Sequence, residues 1–334
     1  MTKTAYLAKL KECLKGIPKD EINKTIAYYN EIIEDRMEEG QTEEKAVDGL
    51  DHPSEVARQL LVELLTRATG TESSETSRRS EDYVLKKQQF STEIIREVLL
   101  REENAPIRIE RSPDEWIHLS YGENESERYE LQQTDGCLSV IKRRVRTKRS
   151  NWNNRCNPPV LTIALPQQMT GRVTAESVNA GISAVQIQLV GELRLKTSNA
   201  RLRLEECTAQ SITALTSNAS ITLKNVQAEQ GATAITANGG IQASNVHCGS
   251  ALKLQTENAN ISFEQVTAGT ELTFRTANGT IVGHLTEPTD TFRIISRTSN
   301  GSSSLPTKWG KGPIQLTATT SNGNIRIDFP DSDD

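Results

Sequence analysis

The sequence predicts a mainly β protein whose C-terminal half is a parallel β-helix, or β-solenoid, behind a small N-terminal all-α domain. Three observations predict this fold class: a corner motif that recurs about every 20 residues, an alternation of apolar residues between the motifs, and a helical periodicity confined to residues 1–67. A repeat of this length indicates a coil in which each repeat stacks on its neighbours.

The repeated motif is Thr-x-Asn followed by a small residue, as in Thr197-Ser198-Asn199-Ala200. Successive motif asparagines are 20, 19, 20, 20, 20, 22 and 22 residues apart, which predicts about eight rungs of roughly 20 residues each. A weaker copy beginning at Ser177 starts the series. The eight predicted corner asparagines are Asn179, Asn199, Asn218, Asn238, Asn258, Asn278, Asn300 and Asn322.

Asparagine suits a corner for two physical reasons. It tolerates a left-handed backbone, and its amide can bond to nearby backbone groups. Stacked identical amides can also form a ladder along the coil. A column of asparagine beside threonine could instead serve as a polar binding strip. Since regular spacing is itself a stacking requirement, we interpret the asparagines as a structural ladder.

Apolar residues alternate with polar ones between the corners. Leu252 and Leu254 precede one corner, and Ile261 and Phe263 follow it. Period-two alternation predicts short strands, and strands of consecutive rungs should pair in parallel at about 4.8 Å per rung. Cys207 falls in the frame of the valines of later repeats, so it is predicted to be a buried core residue.

The first 67 residues have the periodicity of helices. Ile22, Ile26, Tyr29, Ile33 and Met37 recur at steps of three and four residues. This segment carries more acidic than basic residues. We predict a compact helical domain at 1–67.

The segments between this domain and the repeats differ in composition. Residues 68–83 are almost free of large apolar residues and are typical of a flexible linker. Residues 84–170 alternate irregularly and are predicted to form a β cap over the coil, with Phe90 and Trp116 in its packing core. The regular solenoid repeats are predicted at 171–330.

Composition narrows the class of protein. The net charge is −5, and no apolar run is long enough to span a membrane. The charged N-terminus does not resemble a signal peptide, and five scattered cysteines suit free thiols in a reducing compartment. We therefore expect a cytoplasmic protein without a transmembrane segment.

No pattern in the chain predicts catalysis, a metal site or a cofactor. Neither CxxC nor HExxH spacing occurs, and no serine or cysteine has a motif that places a base beside it. Parallel β-helices include polysaccharide-cleaving enzymes, which usually need two carboxylates facing one groove. The acids of the repeats do not share one register from repeat to repeat. We expect a non-enzymatic protein.

The strongest local charge feature is a basic run close to Trp152. Such a run could hold a polyanion, although the alternation of its residues also fits a solvated strand edge that blocks unwanted pairing. The acidic total charge favours the strand edge and argues against nucleic acid as a partner. The candidate patch consists of Lys142, Arg143, Arg144, Arg146, Lys148 and Arg149.

Residues 5–61, with AYLAKLKECLKGIP and AYYNEIIEDRMEEGQTEEKAVDGLDHPSEVARQL, resemble the HAAS domain, a small helical signalling domain of Gram-positive bacteria. Asp51 stands where that domain commonly has glycine before its last helix. Residues 84–329, with IRIERSPDEWIHLSY, DGCLSVIKRR and the TxNG corners, resemble the β-strand-repeat family labelled putative adhesin. These resemblances imply an architecture associated with regulation or cell-envelope stress. Relatives often carry a membrane segment between the two domains, whereas this chain has a polar linker there.

The function predicted from these features is that of a non-enzymatic scaffold or signalling protein. Its helical domain would engage a protein partner, and the solenoid would offer a rigid second surface. Candidate partner contacts are Tyr28, Tyr29, Ile32 and Ile33, which could equally be core residues. The alternative function is an adhesin-like module that binds glycans or cell-surface ligands. A third possibility, a DNA-binding helix-turn-helix, is opposed by the acidic balance of residues 1–67.

Overall fold

The computed structural model describes residues 2–15, 22, 25–26, 29–30, 32–34, 37, 42–48, 50, 52–54, 56–57, 83–145 and 158–330. The chain divides into two compact units, Met1–Arg78 and Arg79–Asp334. The linker predicted at 68–83 lies outside the described residues except for Tyr83.

The N-terminal unit is helical. Helix α1 spans Lys3–Cys13 and helix α2 spans Glu43–Asp48, with further helical residues between and after them. The Thr2 hydroxyl accepts a hydrogen bond from the amide of Ala5 and so caps the start of α1. The side chains that build the core of this unit are Tyr6, Leu10, Leu14, Ile33, Ala46, Val47, Val56 and Ala57.

The second unit is a coil whose strands form two long ladders. We call one turn of the coil a rung and name it by its corner asparagine. The first ladder consists of the strands that precede the corners, extended by a hairpin of the cap at one end and by a short strand at the other. In the order in which they lie side by side, these are β5 (Glu127–Thr134), β6 (Cys137–Arg144), β2 (Glu97–Arg101), β8 (Met169–Glu176), β10 (Leu189–Lys196), the second half of β11 (Leu202–Leu215), the second half of β12 (Ile221–Ile235), β14 (Ala251–Gln255), β16 (Glu271–Arg275), β20 (Ile314–Thr319), β18 (Phe292–Arg297) and β19 (Lys308–Trp309).

The second ladder consists of the strands that follow the corners, extended at one end by strands of the cap region. They are, in spatial order, β1 (Val84–Ser91), β4 (Trp116–Glu123), β7 (Leu161–Leu165), β3 (Ile107–Arg111), β9 (Ile182–Val185), the first halves of β11 and β12, β13 (Ile241–Cys248), β15 (Ile261–Ala268), β17 (Ile281–Leu285) and β21 (Ile325–Asp328). A 3₁₀ turn at Thr289–Thr291 leads into β18.

The rungs stack in parallel and in register, so equivalent side chains form columns. Leu252 lies beside Leu272, and Leu254 lies beside Phe274. The rings of Phe263 and Phe274 stack inside the coil with centroids 4.1 Å apart. This apolar interior is continuous from the first rung to the last. The solenoid predicted from the repeat spacing is confirmed.

The stacking order of the final rungs differs from their order in the chain. Strand β20 pairs with β16 on one side and with β18 on the other. Strand β21 likewise pairs with β17. The Asn322 rung, last in sequence, therefore lies between the Asn278 and Asn300 rungs.

The N-terminal end also differs from the expectation of an irregular cap over 84–170. Strands β2 and β3 pair in parallel and in register with β8 and β9, so residues 97–111 form a complete rung of the coil. Its corner reads Glu102-Glu103-Asn104-Ala105, with Asn104 at the corner position. The repeat was missed because Glu102 replaces the threonine of the motif.

The cap beyond this first rung consists of antiparallel pairs. Strand β1 pairs with β4, and β5 pairs with β6. Phe90 is partly buried against the coil core. The prediction that Trp116 belongs to the packing core is wrong, because its side chain points outward on β4 and is 49% exposed.

Candidate functional site

The corner asparagines form one hydrogen-bonded column along the coil. Each asparagine after the first donates from its side-chain Nδ2 to Oδ1 of the preceding asparagine in the stack, over 2.7–2.9 Å. In stacking order the column is Asn104, Asn179, Asn199, Asn218, Asn238, Asn258, Asn278, Asn322 and Asn300. The structure thus brings all eight predicted asparagines together and adds a ninth.

The threonines of the motif face into the coil beside this column. The Thr236 hydroxyl donates to the carbonyl of Ala219 at 3.0 Å, and the Thr256 hydroxyl donates to that of Gly239 at 2.9 Å. Both threonines are buried. Because each hydroxyl satisfies a carbonyl of the neighbouring rung, these groups stabilise the corner and are not available to a ligand.

The left-handed corner expected at the motif asparagines is wrong. In the part of the chain that the structure describes, none of them has a positive φ. Among the described residues, five left-handed positions lie instead at a second bend, where the strand after a corner turns again. They are Gln186, Glu206, Asn225, Asn245 and Gln265, with φ between 52° and 56°. Asp135 and Gln168 are also left-handed but lie outside these bends.

The basic run lies on β6, where the described cations are paired. Lys142 is almost fully buried. Its Nζ lies 2.9 Å from Oε1 of Glu102 and 2.8 Å from Oε2 of Glu127. Arg143 pairs with Glu130 and Arg144 pairs with Glu103, each on the surface. Lys142 therefore cannot face a polyanion, which corrects the candidate patch at that position. Arg146, Lys148 and Arg149 lie outside the described residues.

A buried charge network around Glu102 is absent from the sequence-based predictions. Its Oε1 accepts hydrogen bonds from the backbone amides of residues 103–105, and its Oε2 accepts from the Tyr129 hydroxyl. Burial alone would raise the pKa of Glu102, but the hydrogen bonds from Tyr129 and Lys142 outweigh it, and the pKa is lowered. Burial and the Glu102 charge raise the pKa of Tyr129.

This network ties the cap to the first rung. Glu102 is a corner residue of the coil, whereas Tyr129 and Lys142 belong to the hairpin of β5 and β6. The available signal was a charged residue at the threonine position of a corner motif. Pattern reasoning could not identify its partners, because they lie 27 and 40 residues further along the chain.

The candidate partner residues of the helical unit differ in exposure. Ile33 is fully buried in the core, so it cannot contact a partner, which corrects that candidate. Tyr29 is partly buried, with its ring centroid 5.9 Å from that of Tyr6. Ile32 is half-buried, and Tyr28 lies outside the described residues. Met37, the last residue of the helical series noted in the sequence, is 40% exposed.

A groove of about 510 Å³ runs along the outer face of the second ladder, parallel to the coil axis. One wall is the register column Lys224, Ser244, Glu264, His284 and Asp328, one residue from each successive rung. The other wall contains Thr222, Gln242, Ser262 and Val282.

Three successive residues of the first wall are unpaired. Within the described ranges, the side chains of Glu264, His284 and Asp328 have no hydrogen-bond or ion-pair partner. At the opposite end of the wall from Asp328, Nζ of Lys224 lies 3.5 Å from Oε1 of Glu205. His284 lies in register with Glu264 on one side and with Asp328 on the other. Two carboxylates and an imidazole therefore face solvent on three consecutive rungs.

The thiols of the coil interior are protected. Burial raises the pKa of Cys207 and of Cys248 to about 11, so both remain protonated at neutral pH. Among the described residues no group of three or more His, Cys, Asp or Glu side chains is arranged to hold a metal ion. None of the described helices has the length and apolar character needed to cross a membrane.

Two family models match the chain. The HAAS model matches residues 5–59, and the Toastrack DUF4097 model matches residues 95–334. The Toastrack match begins at the first rung of the coil and includes all nine corner asparagines. Both resemblances stated from the sequence are confirmed.

One solved structure is similar to the chain at low identity. It is that of a "putative cell adhesion protein" from Clostridium sporogenes, with 10% identity and a TM-score of 0.32, and the match covers 74% of this chain and 100% of that one. Similarity of this degree supports no conclusion about function. No curated protein matches the chain significantly.

Proposed function

The chain belongs to the Toastrack DUF4097 family and carries a HAAS domain ahead of it, and on this premise we propose that it is a non-enzymatic regulatory scaffold. The helical unit engages a protein partner, and the coil presents a rigid second surface. Both families are regulatory or adhesin-like, which supports a scaffold role.

The observation that carries this proposal is the division into two compact units with separate cores. Among its described residues the helical unit packs a core of its own around Tyr6, Leu10 and Ile33, and the coil has one continuous interior. A chain built this way can bind through one unit while the other remains a fixed platform. A stack of in-register parallel strands is suited to the second role because each rung is held by both neighbours.

The helical surface offers an anchor for the partner. Met37 is a large apolar residue that remains exposed, and Tyr29 and Ile32 are only partly covered. Met adapts to varied partner surfaces because its side chain is unbranched and polarizable. We assign the partner contact to this group.

A cytoplasmic location is part of the proposal. It is supported by the free thiols of Cys13, Cys137, Cys207 and Cys248, which suit a reducing compartment.

Affinity purification from native cells tests the proposal. The full chain, a Met37→Glu variant and a chain lacking residues 1–67 are compared, with Glu257→Gln on the coil as the control. We expect the full chain and the control to retain the same specific partner, and the other two to lose it. Circular dichroism checks that Met37→Glu keeps its helices. An identical partner set for all four proteins would refute the proposal.

A further inference from the structure

We propose that the groove on the second ladder binds a linear, uncharged, hydroxyl-rich chain, an oligosaccharide that lies along the coil axis. The groove is lined on one side by Ser244, Glu264, His284 and Asp328. This inference rests on the coil alone and is independent of the partner of the helical unit.

The shape of the groove favours an extended ligand. Its walls contribute residues from five successive rungs, and at about 4.8 Å per rung it is roughly 19 Å long. Its volume of about 510 Å³ lies within the usual range for small-molecule sites. Because equivalent residues recur at a constant interval, a chain with its own regular repeat can contact several rungs in the same way.

The chemistry of the walls matches hydroxyl groups. Ser244 and Ser262 offer hydroxyls, Gln242 offers an amide, and Glu264 and Asp328 offer carboxylate acceptors. Donors and acceptors are thus interspersed along the groove, as hydroxyl groups require, since each of them both donates and accepts. The unpaired state of the central side chains means that a ligand need not break existing hydrogen bonds.

Two other polymers fit less well. An extended peptide could add to a sheet only through unpaired backbone groups, and the backbone under the groove is already paired from β12 through β21. A nucleic acid would bring phosphates close to Glu264 and Asp328, while the one wall lysine is near Glu205. A neutral chain avoids both penalties.

The site exists because of the unusual stacking order. If the last rungs followed chain order, Asp328 would not lie next to His284. Insertion of the Asn322 rung beside the Asn278 rung places the two residues in register. Glu264 and Asp328 therefore share one register column and face one groove, which corrects for this pair the expectation that the acids of the repeats share no register.

Isothermal titration calorimetry of the full chain tests the proposal, with cellohexaose and chitohexaose as neutral probes and hexagalacturonate as an acidic probe. We expect saturable binding of at least one neutral probe and no binding of the acidic one. Glu264→Gln, His284→Ala and Asp328→Asn should each weaken binding roughly three- to tenfold, the loss expected for one hydrogen bond. Glu257→Gln is the matched control, since it makes the same change on an exposed residue of the same rung, outside the groove.

The result is decisive in either direction. Binding of a neutral probe that weakens in the three groove variants and is unchanged in the control establishes the site. No binding of either neutral probe, equal binding of the acidic probe, or binding that the groove variants leave unchanged would each overturn it.

Discussion

Nδ2 of Asn322 donates to Oδ1 of Asn278 at 2.7 Å, although the two residues are 44 positions apart. Asn300, which lies between them in sequence, donates to Asn322 from the other side. The Asn300 rung therefore lies two rung positions away from the Asn278 rung. The Asn322 rung, which comes later in the chain, occupies the position between them. The C-terminal rung is an interior element of the coil.

Removal of residues 312–334 should destabilise the coil severely. The lost segment contributes Ile314, Leu316, Ile325 and Ile327 to the core, at about 1.5–3 kcal/mol for each buried side chain. It also exposes the Asn278 rung and leaves the Asn300 rung without its neighbour. We expect the unfolding free energy to fall by more than roughly 6 kcal/mol, measured by denaturant titration. A loss below roughly 2 kcal/mol would show that the outer rung can close on the Asn278 rung directly.

Replacement of Glu102 by alanine should lower the unfolding free energy far more than the same replacement of its neighbour Glu103. Glu102 is buried with Lys142, and its loss leaves a buried cation with Glu127 as its remaining acid partner, at a cost of about 3–5 kcal/mol. Glu103 makes an exposed pair with Arg144, whose loss should cost less than about 1 kcal/mol. Equal unfolding free energies for the two variants would contradict the role assigned to the network.

The stability supplied by Glu102 should depend on pH. Its folded-state pKa lies below the ordinary value of 4.5, so its contribution is present above that value and is lost as the pH falls through the lowered folded-state pKa. The difference in unfolding free energy between the natural chain and Glu102→Gln should therefore be constant near neutrality and shrink below about pH 4.5. Glu103→Gln provides the reference. A difference that stays unchanged down to pH 3 would be inconsistent with this prediction.

The stability lost on substitution of an asparagine in the column of corner amides should depend on its position in that column. Asn238 donates to Asn218 and accepts from Asn258, so Asn238→Ala removes two hydrogen bonds, about 1–3 kcal/mol in total. Asn300, at the end of the column, donates one such bond, so Asn300→Ala should cost about half as much. Thermal denaturation of both variants measures the ratio. Equal losses at the two sites would argue that the column contributes nothing beyond local turn geometry.

Gly283→Ala should overpack the interior. A methyl group at this position would lie 2.4 Å from the ring of Phe263, which is itself stacked on Phe274. We expect a loss of about 1–3 kcal/mol in unfolding free energy, partly restored by adding Phe263→Leu. Gly240→Ala is the control, because a methyl group there would lie 3.4 Å from the carbonyl oxygen of Asn260, its nearest neighbour. A double variant no more stable than Gly283→Ala would exclude the proposed clash.

Regular features of this protein could be predicted from the sequence and irregular ones could not. Asn199 and its equivalents were found because a stacked rung demands the same residue at the same interval. Asn104 was missed because Glu102 replaces threonine at its corner, and a motif search depends on that threonine. Lys142 was placed in a surface patch because a strand edge and a buried hairpin have the same alternation. Only its contacts with Glu102 and Glu127 show that it is buried.

The coil, its repeat length and the separate helical domain are predictable from the sequence, since they follow from local periodicity and from side chains that must match between neighbouring rungs. Three features emerge only when the chain is folded: the order of the last rungs, the buried pairing of Glu102 with Lys142, and the common groove of Glu264, His284 and Asp328. They escape a repeat pattern because parallel ladders accept any rung of matching register as a neighbour. The repeat pattern therefore specifies what a rung is, and long-range packing selects which rung lies beside which.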